Sequence, residues 1–396
     1  MQHAKPGAPS APSPILSRIA EEDVETFMKT DWHRNARLFR NAIADFEPFC
    51  SIDELLELAK DPDAETRLIE QTETGWSLTH GPLDELPPRS QKNWTVLVQG
   101  LNLMLDPAAR LLDRFRFVPD ARLDDLMVSF ATDGGGVGPH FDSYDVFLLQ
   151  MHGQRRWRIS AQTSLDLVEN MPLKILRDFK PEQEFVLNPG DMLYLPPRYA
   201  HDGVAIGECT TLSIGFRSPT AAELLSSVFQ QLAEDVRENT ALLAQRFADP
   251  QRGVCQQPAL LPDDMVQWVT SHLQGFKPDI HSIEKGLLRE RTEPKDNVIF
   301  NAPMRAPTGR SVLRTFTTRG IRLHKASRLM TGERGFAMNG EWFEHFTQDI
   351  DKRCLSMLAH ARMLSPQDLE GCTQDSAFTS WCLSMMDAGW IESMPD

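Results

Sequence analysis

Two short segments hold residue types that suit a metal ion. His140 and Asp142 close the run Gly134-Gly-Gly-Val-Gly-Pro-His-Phe-Asp142, and His201 closes Leu195-Pro-Pro-Arg-Tyr-Ala-His201. Two imidazoles and one carboxylate suit a mononuclear iron that keeps three neighbouring positions open for a co-substrate and oxygen. At neutral pH Asp142 is anionic and both histidines can bind as neutral imidazoles, so the set partly offsets a divalent iron. A His-x-Asp triplet alone is weak evidence, because a chain with 11 histidines and 56 acidic residues forms some by chance.

Three neighbouring features strengthen the signal. On a strand, positions i and i+2 share a face, so His140 and Asp142 can aim at one ion while Phe141 packs the other way. Gly134, Gly135, Gly136 and Gly138 allow close backbone approach just before the ligands. His201 is expected at a strand end after a Pro-Pro turn, where a barrel would return it to the pair. The plainer alternative is a turn histidine at 140 and a surface histidine at 201. Asp202 and Tyr144 are candidates to orient the ligands.

An iron of this kind needs a reductant for oxygen, and a 2-oxo acid supplies electrons and a chelate. Its distal carboxylate then needs a buried cation. Arg155, in Gly153-Gln-Arg-Arg-Trp157, offers two-pronged pairing, with Arg156 and Arg158 together on the opposite face of that strand. A solvated basic edge is the competing reading. In Thr210–Phe216, Thr211, Ser213 and Gly215 form a small polar face from which Thr211 and Ser213 would donate to co-substrate or substrate. An ordinary solvent-facing edge strand gives the same alternation.

The elements that carry these groups lie between residues 126 and 216. Short runs rich in Val, Leu, Ile, Phe and Tyr predict strands at Leu126–Ala131, Tyr144–Met151, Arg155–Ile159, Phe185–Leu187, Met192–Leu195 and Thr210–Phe216. Breaks are expected at Gly134–Gly136, His152–Gly153 and Asn188–Gly190. Strands at this density suggest a sandwich or barrel. Upstream, Ser51 is a plausible N-cap ahead of Glu54 for a helix over Ile52–Leu58. Downstream, Leu225, Phe229, Leu232 and Val236 recur at helical spacing. Further helix is expected through Leu242, Leu243 and Phe247 to Asp249–Pro250, and over Asp263–Leu273. These apolar stripes would pack on each other or on a second copy. In the last hundred residues, helices are expected at Met357–Met363 and Ala377–Met386, and Asn339-Gly340 is a hairpin turn signal.

At 396 residues, two or three domains are expected. Hydrophobic content of 41% and charged content of 24% are those of a soluble globular protein. No apolar run reaches the roughly 18 residues of a spanning helix. Residues 1–14 are rich in Ala, Pro and Ser, lack the apolar core of a signal peptide, and read as a disordered tail. The six cysteines are scattered without zinc-like spacing, and reduced thiols in a cytoplasm are expected. A formal charge of −15 argues against general affinity for nucleic acid and favours basic partners. A local exception is Met304–Arg334, where Arg305, Arg310, Arg314, Arg319, Arg322, Lys325, Arg328 and Arg334 face only Glu333. That stretch is either a phosphate-binding patch of a non-catalytic nucleic-acid or ribosome-binding protein, a solvated face, or an intersubunit contact.

Together these segments resemble the JmjC family of iron(II)- and 2-oxoglutarate-dependent oxygenases, and within it the bacterial ribosomal oxygenases. The resemblance is carried by Gly134 to Gln150, Gly153 to Arg158, Pro189 to Pro197, His201 and Ser213 to Arg217, with Trp94 to Gly100 upstream. It implies an α+β protein: a double-stranded β-helix (cupin-like jelly roll) core with its N-terminal elaboration over 15–217, a helical dimerisation region over 218–285, and a winged-helix-like domain over 286–396. It implies His140, Asp142 and His201 as iron ligands and Arg155 as the 2-oxoglutarate anchor. It further implies hydroxylation of a protein side chain, the β-carbon of an arginine in large-subunit ribosomal protein sixteen, by a cytoplasmic homodimer. Thr211 stands where the bacterial relatives are expected to carry Asn. Asp133, just before the glycines, is offered as a contact for a substrate guanidinium, beside Tyr144. Removal of N-methyl groups by the same oxidant is the alternative chemistry, and a cupin using metal without a 2-oxo acid is another.

Overall fold

The computed structural model describes residues 15–395 except 74, 255 and 256, so the expected N-terminal tail lies outside the described residues. A nine-stranded antiparallel sheet dominates. Its spine is two long strands, Val146–Ser160 and Ala200–Phe216, paired along most of their length. Leu123–Ala131 pairs with the second half of Ala200–Phe216, while Gln183–Leu187 pairs with the second half of Val146–Ser160.

The expected break at His152–Gly153 does not end the strand. Gly153 takes φ +60°, and a Cβ there would lie 2.0 Å from the Glu208 carbonyl oxygen. The opposite strand slips register between Ile206 and Thr210. A glycine and a bulge thus bend one continuous ladder where the sequence predicted two strands and a turn. The bend lets the halves of the long strands face each other: Arg155 in the far half reaches Ser129 on Leu123–Ala131.

The faces divide by parity. Leu212, Ile214 and Phe216 join Val128, Phe130, Phe147 and Leu149 in the main apolar core, which extends to Phe27, Trp94 and Phe115. The other face places Val146, Leu148, Leu187, Leu193 and Leu195 in a smaller inner core, which Trp157 and Ile159 join because the register shift between Gln150 and His152 switches the parity of their strand. The metal candidates stand beside that inner core. Burial at roughly 25 cal/mol per Å² of apolar surface is what fixes this parity, since a one-residue slip would reverse every side chain.

Helices Ala221–Glu238, Asp263–Gly275 and Ile280–Thr292 follow. The helical run after residue 239 stops at Leu243, four residues short of Phe247, which instead packs edge-on against Trp268. The last hundred residues hold their own apolar core around Phe316, Phe336, Leu358 and Phe378, with two three-stranded sheets. Here Asn339 and Gly340 both take positive φ between Gly335–Met338 and Glu341–Glu344, the tight turn that their types predict. The Ser51–Glu54 capping box is also formed. The expected helix at 357–363 starts earlier, as Asp349–Ala361, and Met363–Leu364 is a strand. No helix among the described residues is long and apolar enough to cross a membrane.

Candidate metal centre

His140 and Asp142 do not sit on a regular strand, contrary to the expectation. Residues 132–145 run irregularly, and one antiparallel bridge anchors them: His140 N–H donates to the His201 carbonyl at 2.9 Å, and His201 N–H returns the bond at 2.8 Å. His201 lies at the start of a strand, second in Ala200–Phe216, rather than beyond the end of one. The bridge brings the two imidazoles to 4.1 Å between ring centres. One donor atom each of His140, Asp142 and His201 lies within 4.8 Å of the others, and His201 Nε2 is 3.7 Å from Asp142 Oδ2.

Both rings are oriented by the backbone. His140 Nδ1 lies 2.9 Å from the Gly138 carbonyl oxygen and His201 Nδ1 lies 2.8 Å from that of Tyr199. A carbonyl only accepts, so each Nδ1 carries the hydrogen and each Nε2 presents a lone pair. Burial and the neighbouring His140 push the His201 imidazole down to about 4, against the pull of Asp142. It is therefore unprotonated at neutral pH. Two Nε2 lone pairs and a carboxylate fit a divalent transition metal.

The glycines before the ligands are spacers. A Cβ on Gly136 would lie 2.5 Å from the Gly203 carbonyl oxygen, and one on Gly203 would lie 2.6 Å from the Trp157 ring. Trp157 lies over Gly203, its ring 5.9 Å from that of His201. Arg155, on the same face, is 4% exposed. Its Nη1 donates to Ser129 Oγ at 3.0 Å and its guanidinium lies 5.8 Å from the Trp157 ring centre. Its Nε and Nη2 are buried without any partner. An uncompensated buried guanidinium costs on the order of several kcal/mol, more than one hydroxyl and one aromatic face return. Two free N–H groups pointing the same way are the shape of a carboxylate.

The remaining predicted residues divide. Thr211 is buried on the inner face, but its hydroxyl donates to Gln150 Oε1 at 2.9 Å, so its hydrogen is spent within the wall. Ser213 stands on that face, half-buried, two residues further along. Asp202 points to the opposite face, where Arg158 holds it, and does not orient the ligands. Tyr144 stands near the set: desolvation of its hydroxyl, then the neighbouring Asp142 and Asp125, hold its phenol well above the ordinary range, although 39% of the residue is exposed. Asp133 is engaged elsewhere, with Lys92 at 2.8 Å and the Gly207 amide at 3.0 Å.

Sequence reasoning passed over Asp125, whose Oδ2 accepts from Lys295 at 2.9 Å and from Gln99 at 2.6 Å. It is 4% exposed, on the inner parity of Leu123–Ala131 with Met127 and Ser129. A Cβ on Gly215 would lie 3.7 Å from its Oδ1. Parity with Ser129 was the available signal, hidden by the adjacent Asp124. The basic stretch 304–334 is also resolved in part. Arg322 and Lys325 pair with Asp106, Arg328 donates to the Leu123 carbonyl at 2.6 Å, and Arg334 pairs with Glu284. At least four of the eight cations thus serve contacts within the chain.

The geometry can be set beside known proteins. A family model described as "JmjC domain" matches residues 110–224. The Escherichia coli (strain K12) protein named "Ribosomal protein uL16 3-hydroxylase" is 35% identical over 243 residues, 60% of this chain and 63% of that protein. The Haemophilus influenzae "Probable ribosomal oxygenase" is 35% identical over 213 residues, 52% of each chain. The chain thus spans less than two thirds of the length of these two relatives. In structure, E. coli YcfD aligns with a TM-score of 0.80 at 26% identity, over 95% of this chain and 100% of that one. A structure of YcfD "in complex with Cobalt and 2-oxoglutarate" aligns with a TM-score of 0.78 at 26% identity, over 95% of this chain and 99% of that one.

Proposed function

We propose that this chain, whose residues 110–224 match a JmjC-domain model and whose fold is the cupin-like one of YcfD, is an iron(II)- and 2-oxoglutarate-dependent protein hydroxylase. One observation carries the reading. A His140–Asp142–His201 donor set and a buried guanidinium with two unpartnered N–H groups open on the same folded-over face of one sheet. Iron(II), when bound, supplies the activation of oxygen that is coupled to oxidation of 2-oxoglutarate to succinate and carbon dioxide.

The chain's own residues place and protect that chemistry. His140 and His201 present Nε2 because Gly138 and Tyr199 hold their Nδ1–H groups. Asp142 supplies the charge. Arg155 Nε and Nη2 take the distal carboxylate in one orientation. Trp157, Leu187, Leu193 and Leu195 keep that end dry, which strengthens the ion pair. Ser213, Tyr144 and Asp125 flank the open side. The reacting C–H bond is then chosen by position rather than by intrinsic reactivity.

A basic ribosomal protein is the proposed substrate, following the printed names of the two relatives, and hydroxylation at the β-carbon of an arginine is the proposed outcome. The encounter would weaken with salt, as the net charge of −15 requires. We place the reaction in the cytoplasm. We also read residues 218–285 as a self-association region, because Leu225, Phe229, Leu243, Val266 and Leu273 are 45% exposed or more on its helices. Residues 286–396 would form the winged-helix-like domain. The test is intact-mass analysis of ribosomal proteins after incubation with the enzyme, iron(II) and 2-oxoglutarate. A gain of one oxygen on a single protein, without formaldehyde, is expected. Formaldehyde with loss of a methyl group would replace hydroxylation by demethylation.

A further inference from the structure

A second cavity lies away from the metal centre. It occupies about 480 Å³ between the sheet's Leu123–Asp125 edge, the helix Asp106–Asp113 and the C-terminal strands, and neither the metal donor set nor Arg155 lines it. Ligand-sized clefts begin at roughly 300 Å³.

Its charges can be accounted for one by one. Arg322 and Lys325 hold Asp106 at 3.5 Å each, and Arg322 also holds Glu392, outside the lining, at 3.0 Å. Arg362 holds Asp113 at 3.4 Å, and Arg116 holds Asp120 at 2.7 Å. Lys295 holds Asp125 at 2.9 Å and Asp124 at 3.6 Å. Every carboxylate on the wall is thus already paired. Arg328 is left over: among the described residues it has no carboxylate within reach, and its guanidinium makes a single hydrogen bond, to the Leu123 carbonyl at 2.6 Å. Arg110, also on the wall, forms no ion pair among the described residues. The cleft therefore carries two surplus positive charges inside a protein of net charge −15. Burial, with Arg217 and Arg362 close by, lowers Arg328 to about 10 against the weaker pull of Asp124 and Asp120. Leu112, Val298, Met330 and Met363 supply apolar wall beside it.

We propose that this interdomain cleft binds a small organic or inorganic anion bearing a phosphate or carboxylate group, with Arg328 as its principal donor. The anion takes the free edge of the guanidinium, whose planar fork matches either group. It would tie the C-terminal strands to Leu123–Ala131, the strand that also carries Asp125 and Ser129. The inference stands independently of the hydroxylase reading.

The test uses the full chain, with inorganic phosphate and benzoate as probes and chloride at equal ionic strength as the control. Melting temperature and, for phosphate, 31P line width are followed against concentration. Saturable binding of phosphate alone assigns a phosphate site, and of benzoate alone a carboxylate site. In either case Arg328→Met should weaken binding by about tenfold or more, since a charged hydrogen bond contributes roughly 1.5–3 kcal/mol. No saturable response to either probe, or unchanged affinity in Arg328→Met, overturns the proposal. Should Arg328→Met fail to fold, Arg328→Lys keeps the charge and loses the fork. Equal affinity in that variant overturns it.

Discussion

The interior of the bent sheet and the helices after residue 220 are both incomplete, in opposite ways. Inside the sheet, Arg155 keeps buried N–H groups that nothing among the described residues satisfies. On the helices, Phe229 is 62% exposed and Leu273 is 66% exposed, and Asp263–Gly275 buries no residue at all. One region lacks a polar partner and the other lacks an apolar cover. The contrast tells what each awaits. An unpaired buried cation calls for a small anion of fixed shape, while an uncovered apolar stripe calls for a second surface. Neither region fits the other's missing piece.

The sharpest way to break this contrast is at the donor set. His140→Ala or Asp142→Ala should reduce succinate formation to background, and succinate production at the original rate would remove the metal assignment. Next, Arg155→Met should raise the 2-oxoglutarate concentration needed for half-maximal turnover by at least about a hundredfold, from two charge-assisted bonds. An unchanged requirement would move the anchor elsewhere. On the helical side, Phe229→Glu with Leu273→Glu should convert a dimer to a monomer in light scattering. A monomeric parent protein would show that the stripe is not a self-association surface. The smallest expected effect is in the wall. Gly203→Ala sets a methyl group against the Trp157 ring and should cost about 1–3 kcal/mol, read as a lower urea midpoint at unchanged slope.

Much of the inner face was legible because it obeys the two-residue period. Arg155 follows from its alternation with Arg156 and Arg158, and the Asn339-Gly340 turn from residues that tolerate positive φ. What was not legible depends on distance along the chain. The bend at Gly153 is explained only by the Glu208 carbonyl, 55 residues away in sequence by subtraction of their numbers. The commitment of Thr211 to Gln150 is set by register, which a single strand's pattern does not contain. The basic stretch 304–334 looked like a surface patch because several of its partners are distant in sequence: Asp106 and Leu123 lie some two hundred positions earlier, and Glu284 and Glu392 lie outside the stretch on either side. Asp133 attracted attention by its neighbours in sequence, whereas in space it is spent on Lys92 and the Gly207 amide.

The reciprocal bridge between residues 140 and 201 has a practical consequence. Main-chain bonds alone hold the two imidazoles together, so the pocket owes its shape to the polypeptide and not to its cargo. Small metal-dependent folds such as zinc fingers collapse when stripped. This one should tolerate chelation and reloading at ambient temperature, with its far-ultraviolet spectrum unaltered throughout the cycle.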